Sequence, residues 1–208
     1  MTKKDYCACL RSLLLLTIIL PGLPLKAETG SIEPVSIIME TSEKLQTAMK
    51  ENPPAGDYAR ASQIVREIID PHVDFNRVAA LVLGKHWKQA NDDQKNRFKK
   101  EFRELLIRTY AVAFSEYSEW EITYLPVKLD PQDKKAFVRT EIVRPSAPSI
   151  SVNYRMVRKR NNQWKVYDVV IEGISFITNY RSSFKNDVAR TGSLDGVIEK
   201  LAARNREI

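Results

Sequence analysis

Apolar side chains in this chain repeat with two different periods, and the change of period marks its plan. Between Ser31 and Asn52, Val35, Ile38, Met39, Leu45 and Met49 recur mostly at helical spacing, with Glu33 suited to the positive end of a helix. The run Asn52-Pro53-Pro54-Ala55-Gly56 stops that helix. A second is predicted from Asp57 to Asp70, with Ile64, Val65, Ile68 and Ile69 on one face, and Pro71 ends it by removing a donor. Asp74 caps a short third helix that turns Phe75, Val78, Ala79 and Val82 inward, and Gly84 closes it. Asn91 with Gln94 reads as a capping-box variant. It opens the longest helix, to about Ser118, whose stripe is Phe98, Phe102, Leu105, Leu106, Thr109, Tyr110 and Ala113.

The period then falls to two. Trp120, Ile122 and Tyr124 alternate with polar residues, as do Val138, Thr140 and Ile142, and Ile150, Val152, Tyr154 and Met156. Asn161-Asn162 signals a tight turn into a last strand, Gln163 to Glu172, where Gly173 breaks the ladder. Helices follow from Ser175 to Arg190 and, after Gly192, from Leu194 to Arg204. The predicted fold is α+β: a four-stranded antiparallel meander covered on one face by helices, with an apolar cavity between the layers.

Residues 1–27 do not belong to that plan. Lys3, Lys4 and Arg11 precede the apolar run Leu13 to Leu20, and Pro21-Gly22-Leu23-Pro24-Leu25-Lys26-Ala27 follows. A basic segment, a short greasy segment and a small residue make a signal peptide, cut after Ala27. A spanning helix needs about 20 apolar residues, which this run lacks. Residues 28–208 are then one domain. Cys7 and Cys9, the only cysteines, leave with the peptide, so no thiol chemistry is available to the exported chain. Of 33 basic and 26 acidic residues, four and one lie in the peptide, so the remainder carries 29 against 25. That surplus, in an exported protein, is a weak argument for nucleic acid.

Catalytic patterns are missing. No glycine-rich phosphate loop occurs, and Gly173-Ile174-Ser175-Phe176-Ile177 lacks the second glycine of a nucleophile elbow. The two histidines, His72 and His86, have no second ligand at helical spacing, so a metal site is not expected. Asp168 is the unusual acid, set in the apolar strand Trp164 to Ile171. It reads either as a structural acceptor, holding backbone amides or an arginine such as Arg181, or as a general base with Tyr167 or Tyr180. The structural reading is favoured, because no second acid, base or oxyanion donor is identifiable near it.

What the chain does supply is apolar lining with few polar groups. The residues predicted to line the cavity are Phe98, Phe102, Leu105, Leu106 and Tyr110 of the long helix, and Trp120, Ile122, Tyr124, Val138, Ile142, Val152, Tyr154, Val169 and Ile171 of the sheet. Ile174 and Ile177 complete the set after the last strand. An acyl tail of ~16 carbons needs on the order of 12 kcal/mol of dry lining to leave a membrane, at about 0.8 kcal/mol per CH₂. Two basic clusters, Arg155 to Arg160 and Lys95 to Arg103, read as solvated surface or as docking sites for acidic partners or anionic headgroups.

Two blocks carry a family resemblance. The first is Phe75-x-x-Val78-x-x-Leu81-Val82-Leu83-Gly84-x-x-Trp87-x-x-Ala90-x-x-x-Gln94-x-x-x-Phe98-x-x-x-Phe102-x-x-Leu105-Leu106-x-x-Thr109-Tyr110. The second is Trp164-Lys165-Val166-Tyr167-Asp168-Val169-x-x-Glu172-Gly173-x-Ser175-x-x-x-Asn179-Tyr180-Arg181-x-x-Phe184. In order and spacing they resemble the MlaC family of periplasmic phospholipid-binding proteins, also called toluene-tolerance auxiliary proteins. The resemblance implies a periplasmic, non-enzymatic carrier, monomeric and without a cofactor, whose cargo is a glycerophospholipid. It further implies two partners: an outer-membrane lipoprotein–porin complex and the MCE-domain subunit of an inner-membrane ABC transporter. The implied role is maintenance of outer-membrane lipid asymmetry.

Overall fold

The computed structural model describes residues 33–51, 58–115, 120–144 and 147–206, without the side chains of residues 58, 110–115 and 144. The signal peptide expected over 1–27 lies outside them. Helix α1 (Glu33–Glu51) and α2 (Tyr58–Ile68) are followed by a 3-10 turn, Asp70–His72, where Pro71 interrupts the helical ladder. Helix α3 (Phe75–Leu83) starts on Asp74, whose side chain accepts from the Arg77 amide at 3.1 Å. A five-residue helix α4 (Lys85–Gln89) then carries His86 and Trp87 where the sequence suggests a loop. Gly84 is the elbow between them, at φ +55 and ψ −116, a conformation open to glycine and costly for any residue with a β-carbon.

Helix α5 (Asp92–Ser115) opens with the expected reciprocal cap. The Gln94 amide donates to Asn91 Oδ1 at 2.8 Å and the Asn91 amide to Gln94 Oε1 at 3.1 Å. Strands β1 (Glu121–Tyr124), β2 (Lys135–Arg144), β3 (Ala147–Arg158) and β4 (Trp164–Ile171) form the meander, in chain order and antiparallel throughout. The sequence reading stops the sheet at Gly173; the structure adds a fifth strand, β5 (Ile174–Ser175). Glu172 at φ +48 and Gly173 at φ +78 form a turn whose positive angles match hairpin twist, so Ile171 pairs with Ile174 rather than ending the ladder.

Ser175 then accepts from the Thr178 amide and starts α6 (Phe176–Thr191), and α7 (Leu194–Arg206) closes the described chain. Between β3 and β4 the register slips by one, so that Tyr154 faces Val169 while Met156 faces Val166. The extra residue, Tyr167, is a bulge. It lets Val166 and Val169 serve the same side of the sheet despite their odd separation.

Candidate functional site

Helix α1 buries Val35, Ile38, Ser42, Leu45 and Met49, at alternating steps of three and four, and packs onto β2 and β4. The apolar side of the sheet does not form one core under it. Val35 and Ile38 join Ala136, Val138, Met156, Trp164 and Val166 in one buried cluster. Leu45 and Met49 join Ile64, Ile142 and Val152 in another. The two share no buried member, and the half-buried Tyr154 and Val169 flank both. Domains of this size usually hold a single contiguous core. Here a seam of partly covered apolar groups separates two halves of one sheet face.

The predicted lining divides accordingly. Trp120, Ile122, Tyr124, Val138, Ile142, Val152, Tyr154 and Val169 come together in the two sheet clusters. Phe98, Phe102, Leu105, Leu106 and Ile177 belong to a third cluster, among α3, α5, α6 and α7, where Phe98 and Phe102 are fully buried. Their rings lie 5.4 Å apart and both meet Phe184 edge-on. Ile171 and Ile174 are exposed, 37% and 67%. The side chain of Tyr110 lies outside the described residues. Leu45, Met49, Ile64 and Ile150, absent from the predicted lining, join the second sheet cluster with it. The helical period of α1 marks an inner face, but nothing in it says which layer that face meets.

A groove of about 410 Å³ opens between α1 and β1. Its apolar wall is Trp120, Ile122 and Tyr124, and its rim is Ser42, Glu43, Gln46 and Lys50. Gln46 donates to the Trp120 carbonyl at 2.6 Å, tying the helix to the start of the sheet. Burial pushes the Tyr124 hydroxyl above its ordinary pKa, and its hydrogen bond to Ser42 only partly offsets this. A larger cleft of about 680 Å³ lies among α2, α3 and α5 and is polar. Arg66 pairs with Glu104 across it at 2.5 Å, and Arg103 faces Asp70 at 3.4 Å. Burial still holds the Asp70 carboxyl above the usual carboxylate range.

Asp168 is hydrogen-bonded at both oxygens. One oxygen accepts the Ile177 amide at 3.0 Å, and the other accepts Ser175 Oγ and Arg155 at 2.7 Å each. Its arginine is thus the cross-strand Arg155, not Arg181. Tyr167 lies under the Arg77 guanidinium, and Tyr180 packs between Phe102 and Phe176. Neither has a contact with Asp168 that would make an acid–base pair. Among the described residues no group of three or more His, Cys, Asp and Glu could hold a metal ion.

Apolar walls, a split core and a lone acid held by three donors describe a binding module. The family model described as MlaC protein matches residues 39–203, most of the chain. The chain belongs to the MlaC family. It is 28% identical over 184 residues to the intermembrane phospholipid transport system binding protein MlaC of Haemophilus influenzae, covering 84% of this chain and 82% of that one. It is 27% identical over 200 residues to toluene tolerance protein ttg2D of Pseudomonas putida, covering 92% and 88%. Its fold is similar to that of the phospholipid-binding protein of Ralstonia solanacearum, solved in complex with a phospholipid. That match has a TM-score of 0.78 and 26% identity, over 84% of this chain and 97% of that one. As a member of the MlaC family, the chain is a lipid-binding carrier and not an enzyme.

Proposed function

We propose that the chain carries a glycerophospholipid through the periplasm, its acyl chains inserted between the sheet and the helices along the seam at Tyr154 and Val169. The observation that carries this reading is the division of one apolar sheet face into two buried clusters that meet only at half-buried residues. Half-buried apolar groups stay in contact with water at a cost proportional to their exposed area, and hydrocarbon laid along them removes it. The phospholipid held by a relative of the same fold supports the same ligand class. The basic, then apolar, N-terminal run over 1–27 supports export by a cleaved signal peptide. The outer-membrane lipoprotein–porin complex and the MCE-domain subunit of an ABC transporter are the two partners between which this reading moves the lipid.

Native mass spectrometry of protein purified from cells tests the proposal. The expected spectrum shows added masses that organic extraction removes and that correspond to glycerophospholipids. Val169→Arg places a charge on the seam, where a long side chain can reach water without unfolding the sheet, and should abolish the added mass. A folded Val169→Arg protein that still carries lipid would refute the placement. A ligand-free mass in repeated preparations would refute the function.

A further inference from the structure

The two basic clusters that stand out in the sequence are largely consumed inside the molecule. Arg155 pairs with Asp168, Lys159 with Asp74, Arg97 with Asp93 and Asp195, and Arg103 with Asp70. Arg158 donates to the Pro131 carbonyl and Lys99 to Asn76. Free positive charge collects elsewhere. Residues 75–91 and 173–186 contain no Asp or Glu, and of the helices they form, α3 packs against α4 and against α6. Lys85 and Lys88 on α4, and Arg181 and Lys185 on α6, are all exposed and form no ion pair among the described residues. Each pair lies three or four residues apart, on one side of its helix. Arg181 ties the two sides together. Its guanidinium rests on the Gly84 elbow so closely that a β-carbon there would fall 2.8 Å from one of its nitrogens.

We propose that this face, Lys85, Lys88, Arg181 and Lys185 around Gly84, is a docking surface for a carboxylate-rich segment of a partner protein. This rests on the carrier reading, which requires partners, and names a surface at which one would dock. A guanidinium presents the planar fork that matches a carboxylate in two parallel hydrogen bonds, and the three lysines of the face steer an acidic surface toward it. A membrane surface fits less well. Interfacial binding needs apolar groups to insert, and among the described residues the exposed large apolar ones, Phe137, Val143, Ile171 and Ile174, all lie on strands instead.

The test uses the full exported chain against three immobilised probes: the purified MCE-domain subunit, the purified lipoprotein–porin complex, and phosphatidylglycerol vesicles. Lys85→Glu with Lys185→Glu should weaken binding to at least one protein probe by about tenfold or more, chiefly in the association rate and less so at high salt. Arg181→Gln should weaken the same complex while changing net charge by only one. Lys134→Glu with Lys135→Glu, an equal charge reversal on the sheet, should change it less than about twofold, because rim charges away from the contact contribute little. Two results would overturn the proposal: both protein probes binding the reversed protein as well as the unaltered one, or vesicles capturing the unaltered protein through these same residues. The carrier reading is scored separately by bound lipid. Lipid missing from the unaltered protein would sink that reading while leaving the docking result intact.

Discussion

Asp168 is 1% exposed on its side chain, in the most apolar strand, yet both of its oxygens accept hydrogen bonds, from three donors in all. A buried carboxylate survives only when it is paired and hydrogen-bonded. Asp168→Ala would strand the Ser175 hydroxyl and the Ile177 amide, and we expect a loss of about 3 kcal/mol in urea unfolding. Arg155 at the other end is 44% exposed and finds water, which limits the cost. Asp187 offers a pH handle. Burial alone would raise its carboxyl, but hydrogen bonds from Lys200 and Arg190 outweigh this and hold it below the usual carboxylate range. A lowered folded value means that its stabilisation is complete above the unfolded value of about 3.9 and fades as pH falls through the folded one. The stability gap between wild type and Asp187→Asn should therefore close in acid and be constant from about pH 5 upward, as thermal melts across pH will show.

At the level of elements, caps and turns were the most legible features, because their chemistry is local. Asp74, Asn91 with Gln94, and Ser175 each cap the helix that follows, as their side chains predict. Asn91→Ala should cost about 1 kcal/mol by removing the acceptor for the Gln94 amide, measurable as a lower urea midpoint. Gly173 was legible as a break but not as a hairpin. Whether a glycine ends a strand or turns it depends on what the next residues pair with, and Ile174 pairs with Ile171. No atom crowds a β-carbon at Gly173, so Gly173→Ala tests backbone strain alone, at about 1–2 kcal/mol.

Across the whole molecule, the stripe on α5 and the faces of the sheet look alike in sequence but enter different clusters. Phe98 and Phe102 close a helical core with Phe184, whereas Tyr154 and Val169 border the seam. Phe98→Ala should lower stability by about 3–5 kcal/mol and leave lipid bound in the protein that stays folded. Val169→Arg should do the reverse, with lipid lost and the unfolding midpoint lowered only modestly. Pairing denaturation with native mass spectrometry on both variants separates the two roles. If both variants lose lipid equally, the helical cluster and the seam form a single site.

The sequence by itself determined the α+β plan, the order of the longer helices and of the four main strands, the capping residues, and through its two motif blocks the family. Each of these rests on period, local hydrogen bonding or spacing, which act over a few residues. The tertiary structure decided which apolar groups share a core, because a helix stripe fixes an inner face but not the layer it meets. It chose Arg155 over Arg181 for Asp168, since cross-strand register is invisible until β3 and β4 are paired. It also decided which cations remain free, because an ion pair forms between groups that folding brings within reach, whatever their distance along the chain.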